Sequence, residues 1–320
     1  MVTKKSKKLI IIALIFIAFV ALSGCAGKKA TTQVQQAAAG KVFVGGSDGV
    51  AVSFLPGSPP KDTFTNTPFD ISVLLQNKGE HSLTKSDVRI YFSGISPQAF
   101  GVSTADFEKK YNKPLQKAQL VSGQAIPGEQ DQITVTTQGY RDPNNLLPGP
   151  LKFSVAATTC YPYQTQAIAL ACLSQNLLAQ TVGQEICKIS GEKNPQSSGA
   201  PVKVISAIEL PLGKNKVGFQ IKIKDSGIGN TYTLPAGEAD CRKATQASLG
   251  RATVSAKVGT IALSCSPTTV ILAENKEGLT TCSAEITGVA GMQQELLTIS
   301  LAYNYMQQKS QEFIVRPLGA

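Results

Sequence analysis

Phe69-Asp-Ile-Ser-Val-Leu-Leu-Gln-Asn-Lys-Gly79 decides how this chain is read, because a second stretch, Val217-Gly-Phe-Gln-Ile-Lys-Ile-Lys-Asp-Ser-Gly227, repeats its pattern. In the first, Phe69, Ile71, Val73 and Leu75 fall on alternate positions, while Asp70, Ser72 and Gln76 face the other way. A period of two places the apolar set on one face of an extended strand that is half buried. In the second, Val217, Phe219, Ile221 and Ile223 share a face. Each copy ends in turn chemistry, Asn77-Lys78-Gly79 and Asp225-Ser226-Gly227, since Asn and Gly tolerate positive φ.

The rest of the chain is consistent with a repeated β unit. Its 320 residues suit two domains of ordinary size. A content of 42% hydrophobic and 16% charged residues is that of a folded protein. The net charge of +10 includes Lys4, Lys5, Lys7 and Lys8 at the N-terminus; without them about +6 remains, with no dense basic run. Nucleic-acid binding is therefore not expected.

Those four lysines precede an apolar run from Leu9 to Leu22, followed by Ser23-Gly24-Cys25. The run is short of the roughly 20 residues needed to cross a hydrocarbon core and suits a signal peptide. Leu22-Ser23-Gly24-Cys25 resembles the lipobox of prokaryotic lipoproteins, which implies a lipid on Cys25 and cleavage in front of it. The alternative is an uncleaved N-terminal transmembrane helix. Residues 1–24 are thus expected as signal peptide and 25–40 as lipidated cysteine and tether, with the body on the extracytoplasmic face of the membrane.

Residues 41–189 are expected as a first β-sandwich. Val50 to Leu55, the opening repeat, Val88 to Phe92 and Ile133 to Val135 supply strands, with Val88 to Phe92 expected antiparallel to the repeat strand across its turn. Residues 96–117 interrupt the rhythm as an insertion, where Ser103-Thr-Ala-Asp106 reads as a cap. Leu151 to Ala157 and Thr165 to Cys172 read as a closing hairpin bent at Tyr161-Pro162-Tyr163. Leu297 to Tyr305 followed by Glu312 to Val315 echoes it at the C-terminus. Tyr161, Tyr163, Tyr303 and Tyr305 hold matching places in these hairpins. They form a possible contact surface, or a cap on the core.

Ser190 to Pro201 is polar and aperiodic and is expected as a linker. Residues 202–320 then form a second β-sandwich of short strands. Of seven cysteines, one is the lipid carrier and six remain for disulfides outside the cell. Spacing favours Cys172 with Cys187 and Cys265 with Cys282, leaving Cys160 with Cys241. A zinc site is not expected, because no Cys-x-x-Cys occurs.

Catalytic patterns are missing. His81 is the sole histidine, expected in a solvated loop; Gly45-Gly46-Ser47-Asp48-Gly49 has the Gly-x-Ser-x-Gly spacing but reads as a break in the chain before Val50 to Leu55, and no phosphate-binding loop or dinucleotide fingerprint occurs. Asp48 and Asp142 stand without the alternating acids of a calcium loop and read as turn residues. No cofactor, metal or catalytic residue is expected, and no N-glycosylation sequon is present.

Phe69 to Gly79 and Val217 to Gly227 resemble the first strands of CARDB-type and related immunoglobulin-like modules of prokaryotic, especially archaeal, surface proteins. Gly45 to Pro60, Cys160-Tyr-Pro-Tyr-Gln-Thr165 and Ser198-Gly-Ala-Pro201 are similar to uncharacterised exported proteins of small-genomed archaea. The resemblance implies two tandem antiparallel Ig-like β-sandwich domains and carries no activity with it. The expected function is that of a membrane-anchored surface lipoprotein acting in surface structure, adhesion or protein binding, with an unknown protein or surface-polymer partner. A substrate-binding lipoprotein of a transporter is the alternative.

Overall fold

The computed structural model describes residues 40–141, 148–178, 186–235, 238, 240–273, 275–289 and 291–318. The expected signal peptide, Cys25, Asp142 and nearly all of the tether lie outside them. Among the described residues there is no α-helix, only strands and four short 3-10 turns. None of their helices is long and apolar enough to cross a membrane. The chain is all-β.

The first half contributes β1 (Val50–Phe54), β2 (Asp62–Phe64), β3 (Phe69–Asn77), β4 (Arg89–Ser93), β5 (Glu108–Lys110), β6 (Gln119–Val121), β7 (Gln124–Ile126), β8 (Gln130–Thr137) and β9 (Leu151–Ser174). After β10 (Gly191–Glu192) and β11 (Gln196–Ser197) come β12 (Val202–Pro211), β13 (Lys216–Asp225) and β14 (Asn230–Tyr232). The chain closes with β15 (Arg251–Val258), β16 (Ile261–Ser266), β17 (Thr269–Ile271), β18 (Glu277–Glu285) and β19 (Met292–Arg316).

The repeated stretch forms β3 and β13, as its alternation requires. Ile71, Val73 and Leu75, and Val217, Phe219, Ile221 and Ile223, are all fully buried. Each such side chain removed from water contributes about 1.5–3 kcal/mol. β3 lies between β1 and β8, and β13 between β12 and β18, all antiparallel. β4 is not the partner of β3, as the turn had suggested; it pairs with β5 and β9. The chain after β3 crosses to the opposite layer.

That layer is built on β9 and β19, which run antiparallel from Leu151↔Val315 to Ser174↔Met292. The expected bend at Tyr161-Pro162-Tyr163 does not occur: β9 continues through it for 24 residues, and β19 likewise runs for 25. Proline is tolerated in a strand where no ladder donor is needed. Pro162 falls where β9 is free on its other side, after β4 pairing ends at Cys160 and before β11 pairing begins at Ala167.

The two long strands serve both halves. Toward one end β4 and β2 flank them, and the sheet β1-β3-β8 faces them, with Phe69 packed 5.4 Å from Phe313. Toward the other end β11 and β15 flank them, and β12 and β13 lie across, with Thr165 bonded to Val202. One hydrophobic core runs through both halves, and Gly40–Ala320 forms one compact unit. The expected separation into two modules is corrected accordingly. The expected linker holds β10 and β11, paired with β12 and β9. Strands of two residues have no periodicity to read, so they look like a tether in sequence.

The insertion at 96–117 closes the end of the first half. Phe100, Phe107 and Leu115 are buried, and the Phe100 ring lies 5.2–6.0 Å from Phe153, Phe313 and Phe69. Ser103 caps its turn, Oγ accepting from Asp106 N at 3.1 Å.

Three disulfides join Cys160 to Cys241, Cys172 to Cys187 and Cys265 to Cys282, the pairs that spacing favoured. Cys265 and Cys282 are direct cross-strand neighbours on β16 and β18. Cys172 and Cys187 are 15 residues apart in sequence. Replacing both by alanine should cost about 3 kcal/mol through the regained freedom of the unfolded chain, read as a lowered midpoint in urea unfolding with an otherwise two-state curve.

Candidate functional site

The four tyrosines meet at the middle of the β9–β19 pair, Tyr163 opposite Tyr303 and Tyr161 opposite Tyr305. Their ring centroids lie 5.7–6.4 Å apart in a closed circuit, within the range of favourable aromatic contacts. All four are buried, so the contact-surface reading is overturned and the tyrosines belong to the core. Burial holds their hydroxyls well above the usual phenol range, and they remain protonated donors.

Each hydroxyl has a fixed task, and the tasks repeat. Tyr161 Oη accepts from Val50 N at 3.0 Å, where β1 begins, and Gln307 Nε2 donates to Val50 O. In the other half Tyr303 Oη accepts from Val202 N at 3.4 Å, where β12 begins, and Thr165 Oγ1 donates to Val202 O at 2.6 Å. Tyr163 Oη donates to Asn77 Oδ1 at 3.2 Å, and Tyr305 Oη donates to Asp225 Oδ1 at 3.3 Å. Tyr161 stands to Tyr303, Tyr163 to Tyr305 and Thr165 to Gln307 at one constant spacing in sequence. The repeat is therefore a pseudo-twofold arrangement in which a tyrosine of each half holds the N–H of that half's own first strand, while Gln307 and Thr165 reach across to the carbonyl of the other's.

The turns after β3 and β13 obey the same rule. Asn77 Oδ1 accepts from Gly79 N at 3.3 Å, and Asp225 Oδ1 from Gly227 N at 3.0 Å. Neither glycine has positive φ, contrary to the sequence expectation. Glycine is required because a Cβ at Gly79 would collide with Tyr163 Oη and with the backbone oxygens of Gly199 and Asp48, and one at Gly227 with Tyr305 Oη and Pro201 Cβ. Gly79→Ala should cost roughly 1–3 kcal/mol by overpacking. In a double-mutant cycle with Tyr163→Phe, which removes one of the three colliding oxygens and leaves those of Gly199 and Asp48, chemical denaturation should show a part of that cost recovered.

Beside the first turn lies a recess of about 250 Å³ lined by Phe43, Glu80, His81, Ser82, Lys117, Gln164, Gln166 and Ser198. Glu80 holds its wall in place: Oε1 accepts from Val44 N at 2.9 Å, and Oε2 from Gly45 N at 3.0 Å and Gly199 N at 2.6 Å. His81 is not in the solvated position expected of it. It is half-buried, its ring 5.3 Å from that of Tyr163. Burial pushes its pKa below the ordinary value, Asp87 opposing and Lys117 adding to the fall. The ring is neutral at neutral pH and offers one donor and one acceptor. Around it the recess carries the Glu80 carboxylate, the amides of Gln164 and Gln166, the hydroxyls of Ser82 and Ser198 and the Lys117 ammonium.

No cluster of three or more potential metal ligands occurs among the described residues. Asp48 lies in the loop before β1. The recess was missed in sequence because its walls come from five separate stretches, none bearing a motif. The one legible sign was the isolated histidine after Gly79.

No family model matches the chain, and no curated protein matches it. Among solved structures it is similar to the secreted serine protease VesC from Vibrio cholerae, with 9% identity and a TM-score of 0.17. The match covers 82% of this chain and 51% of that one, so the chain spans about half of that protein's length. A likeness so slight bears on neither fold nor activity.

Proposed function

We propose that the chain is an exported component of the cell surface, held at the outer face of the membrane through Cys25 and acting as a structural or binding module. Three disulfides within one body of sheet are the observation that carries this reading. Such bonds persist in oxidising compartments and are rare where thiols are kept reduced. The lysines, the apolar run and Leu22-Ser23-Gly24-Cys25 supply an export and anchoring signal in front of that body. The transporter-type alternative requires lobes of alternating strands and helices, and the described residues offer no α-helix in its support.

Mass spectrometry of the mature protein from membranes tests the proposal. A lipid-modified Cys25 as the first residue is expected; an intact, unmodified chain starting at Met1 and recovered from the soluble cell fraction overturns it.

A further inference from the structure

We propose that the recess beside His81 binds a single neutral sugar ring. The site is built in advance. Glu80 spends both carboxylate oxygens on the backbone of residues 44, 45 and 199, which fixes the walls and keeps its negative charge beside the recess. Ser198 is tied in as well, its Oγ accepting from Gln166 N at 3.0 Å. What remains uncommitted is a particular set of groups. The amides of Gln164 and Gln166, the His81 ring nitrogens and Lys117 Nζ make no hydrogen bond or ion pair within the described residues. Each carboxamide both donates and accepts, as does the neutral imidazole. Hydroxyl groups of a sugar do the same, and Phe43 supplies an apolar wall for the C–H face of the ring.

Charge and size narrow the class. Lys117 is balanced by Glu80 within the same recess, which disfavours an anion. Polar walls disfavour an apolar ligand, whose burial would strand their amides unpaired. A volume of about 250 Å³ is below the ~300–1,000 Å³ of pockets for drug-sized molecules, and suits one ring. Gln164 and Gln166 stand in the stretch of β9 between Cys160 and Ala167 that neither β4 nor β11 covers. The inference stands on this geometry alone, so the fate of the lipid analysis does not decide it.

Saturation-transfer NMR on the full chain in detergent, with methyl α-glucopyranoside, methyl β-galactopyranoside and N-acetylglucosamine each at about 10 mM, provides the test. Transfer to at least one of them is expected. In Gln164→Ala/Gln166→Ala the affinity should fall by about tenfold or more, two hydrogen bonds being lost. Both side chains are exposed and unbonded, so the variant should keep its melting temperature. Gln308→Ala, on exposed β19, should bind as the parent does. Absence of transfer from all three sugars, undiminished binding by the double variant, or equal competition by sodium acetate would each overturn the proposal.

Discussion

Tyr161→Ala should destabilise the protein by about 3–5 kcal/mol, the range for removing a fully buried aromatic side chain. Two losses combine. The ring leaves a cavity between Tyr163 and Tyr305, its neighbours at 5.7 and 6.0 Å. The hydroxyl leaves Val50 N without its 3.0 Å acceptor at a fully buried position. Tyr161→Phe separates the terms, because it keeps the ring and strands only the N–H, at about 1–3 kcal/mol. Since Tyr303 holds Val202 in the same manner, Tyr303→Phe should match it to within the spread of such values. Urea unfolding of the three variants is the measurement; near-neutral Tyr161→Phe would mean that the hydroxyl is not needed to start β1.

Lys193→Met should be as damaging at neutral pH, and for an electrostatic reason. Lys193 Nζ lies 2.7 Å from Glu209 Oε2, with the two side chains 5% and 0% exposed. Cys172 N donates to the same oxygen at 3.0 Å, while Glu209 Oε1 has no partner. Burial pushes the Glu209 carboxyl above its ordinary value, with Lys193 and the Cys172 N–H pulling it back. Without the lysine the opposing pull is lost, leaving an uncompensated buried carboxylate that costs about 3–5 kcal/mol. The sign of the pH dependence follows. A carboxyl raised in the folded state destabilises it only when ionised, so the deficit is absent below the unfolded value and grows as pH rises through the folded one. Unfolding of Lys193→Met should therefore approach that of the parent in acid. Lys193→Met/Glu209→Leu should recover most of the loss at neutral pH, because a buried ion pair is often matched by apolar side chains of similar volume. A single variant that is equally unstable at acid and neutral pH would assign the loss to packing instead.

What was legible in the chain was local. Alternation at Phe69 to Leu75 and Val217 to Ile223 gave the strands, because one buried face dictates period two whatever lies opposite. Cysteine spacing led to the right bridges where strands turn back on themselves, as at Cys265 and Cys282. The failures share a cause. Tyr161-Pro162-Tyr163 has the composition of a bend, yet its geometry is imposed by 24 residues of β9 paired with a strand far away in sequence. Gly79 carries the mark of a positive-φ turn, but its real constraint is the close approach of the Tyr163 hydroxyl and of the Gly199 and Asp48 carbonyl oxygens. The recess around His81 was equally out of reach, since Lys117, Gln164 and Ser198 become neighbours only once the sheets have assembled.

Many repeat-bearing proteins are assembled from cassettes that genes can copy, lose or exchange one at a time. Here β9 and β19 deny that freedom. A polypeptide stopped after residue 201 would carry β9 with its whole length bereft of β19, an exposed template for any other extended chain. Heredity must keep both halves of this protein in a single reading frame, and a stop codon between them would yield a sticky fragment rather than a smaller working unit.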